Sequence, residues 1–185
     1  MYGLLLLLHL LAATIWTGGH IVLSLVVLPK VLKEQSPEQL LNFESVYEKI
    51  GMPALIVQVI TGVLLAHRLL PDVTQWFDPA NPIARPVMAK LILLALTIGF
   101  AIDARLRIIP VLSPGNLIVM AWHIIPVTIF SILFVVIGVS FRTGWLYLLL
   151  RVTATCCLQL PDLTLRASPL RWRHHLAPAG PAIAR

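Results

Sequence analysis

The chain has 185 residues, of which 58% are hydrophobic and only 12% charged, and a formal net charge of +6. A water-soluble domain is closer to half apolar and a quarter charged, so this composition excludes an ordinary soluble enzyme. Long runs without charge point instead to an all-α integral membrane protein, because about 20 apolar residues cross a bilayer.

Four spans are predicted, at residues 3–28, 51–70, 87–109 and 117–141. No Lys or Arg precedes the first, and its apolar run exceeds the ~7–15 residues of a signal core, so it is expected to stay as an anchor. It is expected to end at Pro29-Lys30. Ser36-Pro-Glu-Gln39 then reads as a capping box with proline at the first helical position. Leu40, Leu41, Phe43, Val46, Tyr47 and Ile50 recur at helical spacing among charged residues. That pattern predicts a short amphipathic interfacial helix over 37–49 that feeds the second span.

Residues 71–86 hold four prolines and read as a loop, with Trp76 and Phe77 apolar enough for the headgroup layer. In the third span Asp103 and Arg107 are four apart and can pair. Pro110 and Ser113-Pro-Gly115 make the turn into the fourth. Short connections imply an antiparallel four-helix bundle, one domain over 1–145. Lys30, Lys33, Lys49, Arg105 and Arg107 share one side, against Arg68, Arg85 and Arg142 on the other. This modest bias puts the first side in the cytoplasm.

From residue 146 the composition changes to a basic, Pro- and Ala-rich tail over 146–185, read as disordered or interfacial. Its arginines and His174-His175 lack any aromatic–basic pattern, so no nucleic acid is expected, and anionic headgroups are the simpler partner. Cys156 and Cys157 are adjacent and imply no disulfide framework.

The chemistry-bearing residues are the intramembrane histidines. Eleven residues make about three helical turns, so His9 and His20 share one face of the first span about 16 Å apart, with Trp16 on the same stripe. Ala12, Ala13 and Gly19 are small neighbours that let a helix or flat ligand come close. Ionisable groups in lipid are costly and usually face the bundle interior. Antiparallel packing sorts them into two layers, His9/His67/Lys90 and His20/His123.

Two imidazoles from facing helices suit b-type haem. They equally suit copper, for which the thioether of Met120, three residues from His123, is also a competent ligand. The candidate metal ligands are therefore His9, His20, His67, His123 and Met120, and the candidate cofactor contacts His9, Trp16, His67 and Lys90. Met52 and Met88 fit core packing. A purely structural role, with the histidines satisfied by backbone or hydroxyl partners, is the third reading. No HExxH, CxxC, P-loop or GxGxxG pattern occurs.

The run HLLAATIWTGGHIVLSLVVLP at 9–29 resembles the first span of the CopD-like copper-resistance membrane proteins. The likeness extends through GMPALIVQVITGVLLAH, AKLILLALTIGFAIDARLR and AWH at 121–123, roughly residues 1–145. It implies a multi-pass bacterial inner-membrane protein that handles copper, with a periplasmic copper-binding partner. A related pattern is the HemJ-type protoporphyrinogen oxidases, small bundles with haem ligands on their first and third spans. His9 and Lys90 match those ligands, while Gly18-Gly19-His20 and Pro29 depart from that pattern.

Overall fold

The computed structural model describes residues 1–144. The tail expected over 146–185, with its cysteines and His174-His175, lies outside the described residues. Four helices are each long and apolar enough to cross a membrane: α1 (Tyr2–Glu34), α2 (Pro37–Leu69), α3 (Ala84–Val111) and α4 (Leu117–Thr143). No strand occurs among the described residues. The protein is an all-α bundle of antiparallel helices with the make-up of a multi-pass membrane protein.

Helix α1 runs past Pro29, where the sequence pattern ends it. A π-helical turn at Leu23–Val27 explains how, since the Leu28 amide donates to Leu23 O, five residues back, one position before the proline. A proline ring clashes with the carbonyl four residues earlier, and one wider turn relieves that clash without breaking the helix. The same solution recurs in α3. There the turn Ala104–Ile108 is π-helical and the Ile109 amide reaches Ala104 O directly before Pro110.

The connection from α1 to α2 is two residues, Gln35 and Ser36, with Gln35 in the left-handed region at φ 52°. Ser36 stands at the N-cap of α2 with proline next, yet its side chain caps nothing. The expected capping box does not form, because the Gln39 amide turns back onto the Glu34 carboxylate. Residues 37–49 are helical as their spacing predicts, but they form the first turns of the continuous 33-residue α2 rather than a separate element.

Side-chain ties fix the packing order. Along α1 and α2, Tyr47 donates to Trp16 O (2.9 Å) and His9 bonds Thr61 (3.0 Å). Between α1 and α4 the Thr17 hydroxyl donates to Ser131 O (3.3 Å), and the Thr128 hydroxyl, which donates to Ile124 O of its own helix at 2.8 Å, shares that proton with His20 O at 3.2 Å. Hydroxyl-to-carbonyl bonds of this kind hold membrane helices together where lipid removes any hydrophobic preference for contact. Phe100 stacks edge-on against Phe130, joining α3 to α4.

Helices α2 and α3 scarcely touch, so the bundle has an open seam between them, backed by α1 and α4. One end of the seam is bridged by Arg105, whose guanidinium meets Glu48 at 3.0 Å and Glu44 at 3.9 Å. An apolar cluster of Leu28, Val31, Leu40, Ile108, Leu117 and Met120 packs at that end. At the opposite end Trp76 folds in, packs with Leu70, Ala84 and Val87, and donates its indole N–H to Leu70 O (2.9 Å).

Candidate functional site

Two cavities lie along the seam, with Leu55 in the wall of both. The lower one, toward the N-terminus of α1, measures about 460 Å³, and the upper one about 520 Å³. Both sizes fall within the range of small-molecule sites.

His9 enters the lower cavity from α1. Its Nδ1 lies 3.0 Å from Thr61 Oγ1 and 3.1 Å from Gln58 O. The Thr61 hydroxyl donates its own proton to Val57 O at 2.6 Å, so its oxygen receives from His9. A carbonyl only accepts, so both partners require the proton on Nδ1 and leave Nε2 as the nitrogen with the free lone pair. Gly62 makes room for the ring, as a Cβ there would stand 3.2 Å from His9 Cε1. Across the cavity, Lys90 of α3 brings its Nζ beside Gly138 of α4, 3.4 Å from where a Cβ would be.

The lower cavity holds one further polar group. Gln58 is only 8% exposed, it lines this cavity, and its buried Oε1 has no hydrogen-bond partner among the described residues. A buried amide oxygen left without a partner is uncommon.

The upper cavity is built around His20, itself 8% exposed. His20 Nδ1 donates to Trp16 O at 2.9 Å, and the Tyr47 hydroxyl takes the same carbonyl at 2.9 Å. The imidazole packs against Trp16 at a tilt of 47° with ring centroids 4.3 Å apart and meets Tyr47 edge-on at 5.7 Å. Tyr47 is wedged between two glycines of different helices. A Cβ on Gly19 would fall 2.0 Å from Tyr47 Cε2, and one on Gly51 would fall 2.9 Å from Cε1. That explains the second glycine of Trp16-Thr-Gly-Gly-His20, while Gly18 faces open space.

Of the residues singled out by sequence, His9 and Lys90 share the lower cavity, and His20, His123, Trp16 and Met120 share the upper one. His67 is exposed and lines neither. His123 is committed on both nitrogens, with Nδ1 on Val119 O (3.0 Å) and Nε2 on the Asp103 carboxylate (2.9 Å). Asp103 also pairs with Arg107 at 3.1 Å, as their spacing predicts. No group of three or more His, Cys, Asp or Glu able to hold a metal occurs among the described residues.

Sequence reasoning missed Gln58, Thr61 and Tyr47. The first two carried a signal, since polar residues inside the apolar run Val57-Gln-Val-Ile-Thr61 are the type that bonds across membrane helices. Tyr47 carried none, because it was read as one apolar position among several. Comparison with known proteins adds no assignment: no family model, no curated protein and no solved structure matches the chain.

Proposed function

We propose that this chain is a multi-pass membrane protein whose lower cavity would hold haem b, with His9 Nε2 as a nitrogen ligand and Lys90 as the second basic group, and that it serves as a membrane oxidoreductase. The carrying observation is His9 itself. Its Nδ1–H is anchored by Thr61 and Gln58, and its Nε2 is left without a hydrogen bond among the described residues in an apolar cavity. A histidine that ligates a metal characteristically donates its other N–H to an oxygen that fixes the ring.

The residues present fit the group. A porphyrin brings four of its own nitrogens, so the protein needs to add only one or two donors, and His9 and Lys90 are two nitrogen donors on facing helices. Haem supplies one-electron chemistry when bound. The chain's own residues do the rest. Thr61 and Gln58 hold the imidazole to one rotamer and one tautomer. Gly62 and Gly138 let His9 and Lys90 approach without a Cβ in the way. Trp76 and its apolar cluster pack the near end of the seam and keep water from that side.

The copper reading drawn from the CopD-like resemblance has narrower support. Its four histidines do not gather into one relay, since His67 lies outside both cavities and His123 Nε2 is occupied by Asp103. What favours it is that His20 and the buried Met120 line one wall system, an imidazole and a thioether together. Localisation in a bacterial inner membrane with a periplasmic partner belongs to that reading.

One preparation separates the two. Protein produced with ample haem precursor is expected to show a Soret band that is lost in His9→Ala and retained in His20→Ala. Colourless protein that binds copper, and loses it in His20→Ala, would overturn the haem assignment in favour of copper handling.

A further inference from the structure

The upper cavity is a second site, and the lower one has no part in the argument for it. Trp16 O is a carbonyl and only accepts, so the His20 nitrogen that bonds it, Nδ1, carries the ring proton. His20 Nε2 is therefore the acceptor, without a hydrogen bond among the described residues, on a residue only 8% exposed and flanked by two aromatics. The ligand it suits is one that donates a proton.

The walls specify the rest of that ligand. Phe43, Tyr47, Trp16 and Phe100 present ring faces and edges, and the Met120 thioether lies among them. Flat aromatic rings pack favourably against such surfaces. The mouth is flanked by Met52, Ile98 and Ile102, which are apolar and 45%, 46% and 52% exposed. A mouth of that kind opens to hydrocarbon rather than to water. Glu44 and Arg105 stand at the polar end of the same cavity, where a second hydroxyl can be received. The π-helical turns of α1 and α3 both contribute wall residues here, Leu23 and Ala104, and such turns are frequent at functional sites.

We infer that the upper cavity binds a lipid-borne hydroquinone, a flat 1,4-dihydroxybenzene head on an apolar tail, with one hydroxyl donating to His20 Nε2. Binding alone is claimed, and no electron transfer is required of it.

The test uses the full chain in lipid nanodiscs, titrated calorimetrically with propylhydroquinone and with its dimethyl ether, against empty nanodiscs as the partition control. The two probes share shape and apolarity, but the ether cannot donate. The hydroquinone is expected to bind at least tenfold tighter, and the preference is expected to vanish in His20→Phe, which keeps an aromatic ring at that position. Equal affinity for the two probes, no binding of either above the lipid control, or a preference that survives His20→Phe would overturn the inference. Should His20→Phe fail to fold, the ¹⁵N resonance of His20 Nε2 in the native chain decides. It is expected to shift with the hydroquinone and not with the ether, and an unmoved resonance refutes the site.

Discussion

Neighbouring glycines of α1 give opposite signs for one substitution. Gly18→Ala adds a methyl group with nothing within 4 Å. Alanine is the better helix former by about 0.8–1 kcal/mol, so Gly18→Ala is expected to stabilise the protein by up to that amount. Gly19→Ala gains the same propensity but places Cβ 2.0 Å from Tyr47 Cε2 and 2.5 Å from its hydroxyl oxygen. The ring has little room to retreat, because Gly51 holds it from the other side. Overpacking typically costs about 1–3 kcal/mol. Displacing Tyr47 also breaks its bond to Trp16 O, which contributes about 1 kcal/mol. The net expectation for Gly19→Ala is a loss of about 1–3 kcal/mol, against a small gain one residue earlier. Thermal unfolding of the two variants in one detergent measures the difference. In a Tyr47→Ala background the penalty at Gly19 is expected to disappear, since the clashing ring is gone. A Gly19→Ala variant as stable as Gly18→Ala, or a penalty that persists without Tyr47, would refute the packing described here.

Other expectations follow from single contacts. Thr128→Val keeps the shape but removes the hydroxyl that reaches His20 O, and should weaken the α1–α4 pairing by about 0.6 kcal/mol, read as a lower unfolding temperature. Arg105→Gln removes the bridge from α3 to Glu44 and Glu48 at the seam's end. Because that pair is largely exposed, the loss should stay below about 1 kcal/mol and shrink in high salt. In the loop between α2 and α3, the Thr74 hydroxyl and amide donate to Asp72 and hold its carboxyl below the usual range. A lowered carboxyl stabilises the fold above its unfolded value of about 3.9 and loses that contribution as pH falls through the lower folded value. Hydrogen-exchange protection of the Thr74 amide, relative to the unstructured rate at each pH, should therefore fall below about pH 4, and Asp72→Asn should abolish that pH dependence.

Much of the fold follows from the sequence by one physical requirement. A bilayer demands about 20 apolar residues per crossing, and four such runs stand out against Pro- and charge-bearing connections. The helix ends were less accessible. Pro29 and Pro110 read as terminators because proline removes a donor and clashes with the preceding turn. At Pro29 the helix persists by widening one turn, whereas at Pro110 the widened turn passes into a last 3₁₀ turn, Ile109–Val111, and the helix ends where the sequence places its end. The candidate site was legible in part. Helical spacing placed His9, Trp16 and His20 on one stripe, and the antiparallel order set His9 with His67 and Lys90, of which His67 lines neither cavity, and His20 with His123. It could not show that Asp103, four residues from Arg107, would also take His123 Nε2, because that contact spans two helices. Nor could it show that α2 and α3 would stand apart. The close approach of α1 to α2 rests on Tyr47 wedging between Gly19 and Gly51, a three-residue contact with no one-dimensional signature.

Chemical rescue of His9 tests the proposed function most directly. His9→Gly removes the imidazole and leaves space beside Gly62, where free imidazole can stand in for the side chain. Haem-titrated protein is expected to give a Soret band in the native chain, none in His9→Gly, and a restored band when millimolar imidazole is added to the variant. A native-strength band in His9→Gly without imidazole, or a native chain that stays colourless under haem titration, would contradict the assignment of His9 as the ligand.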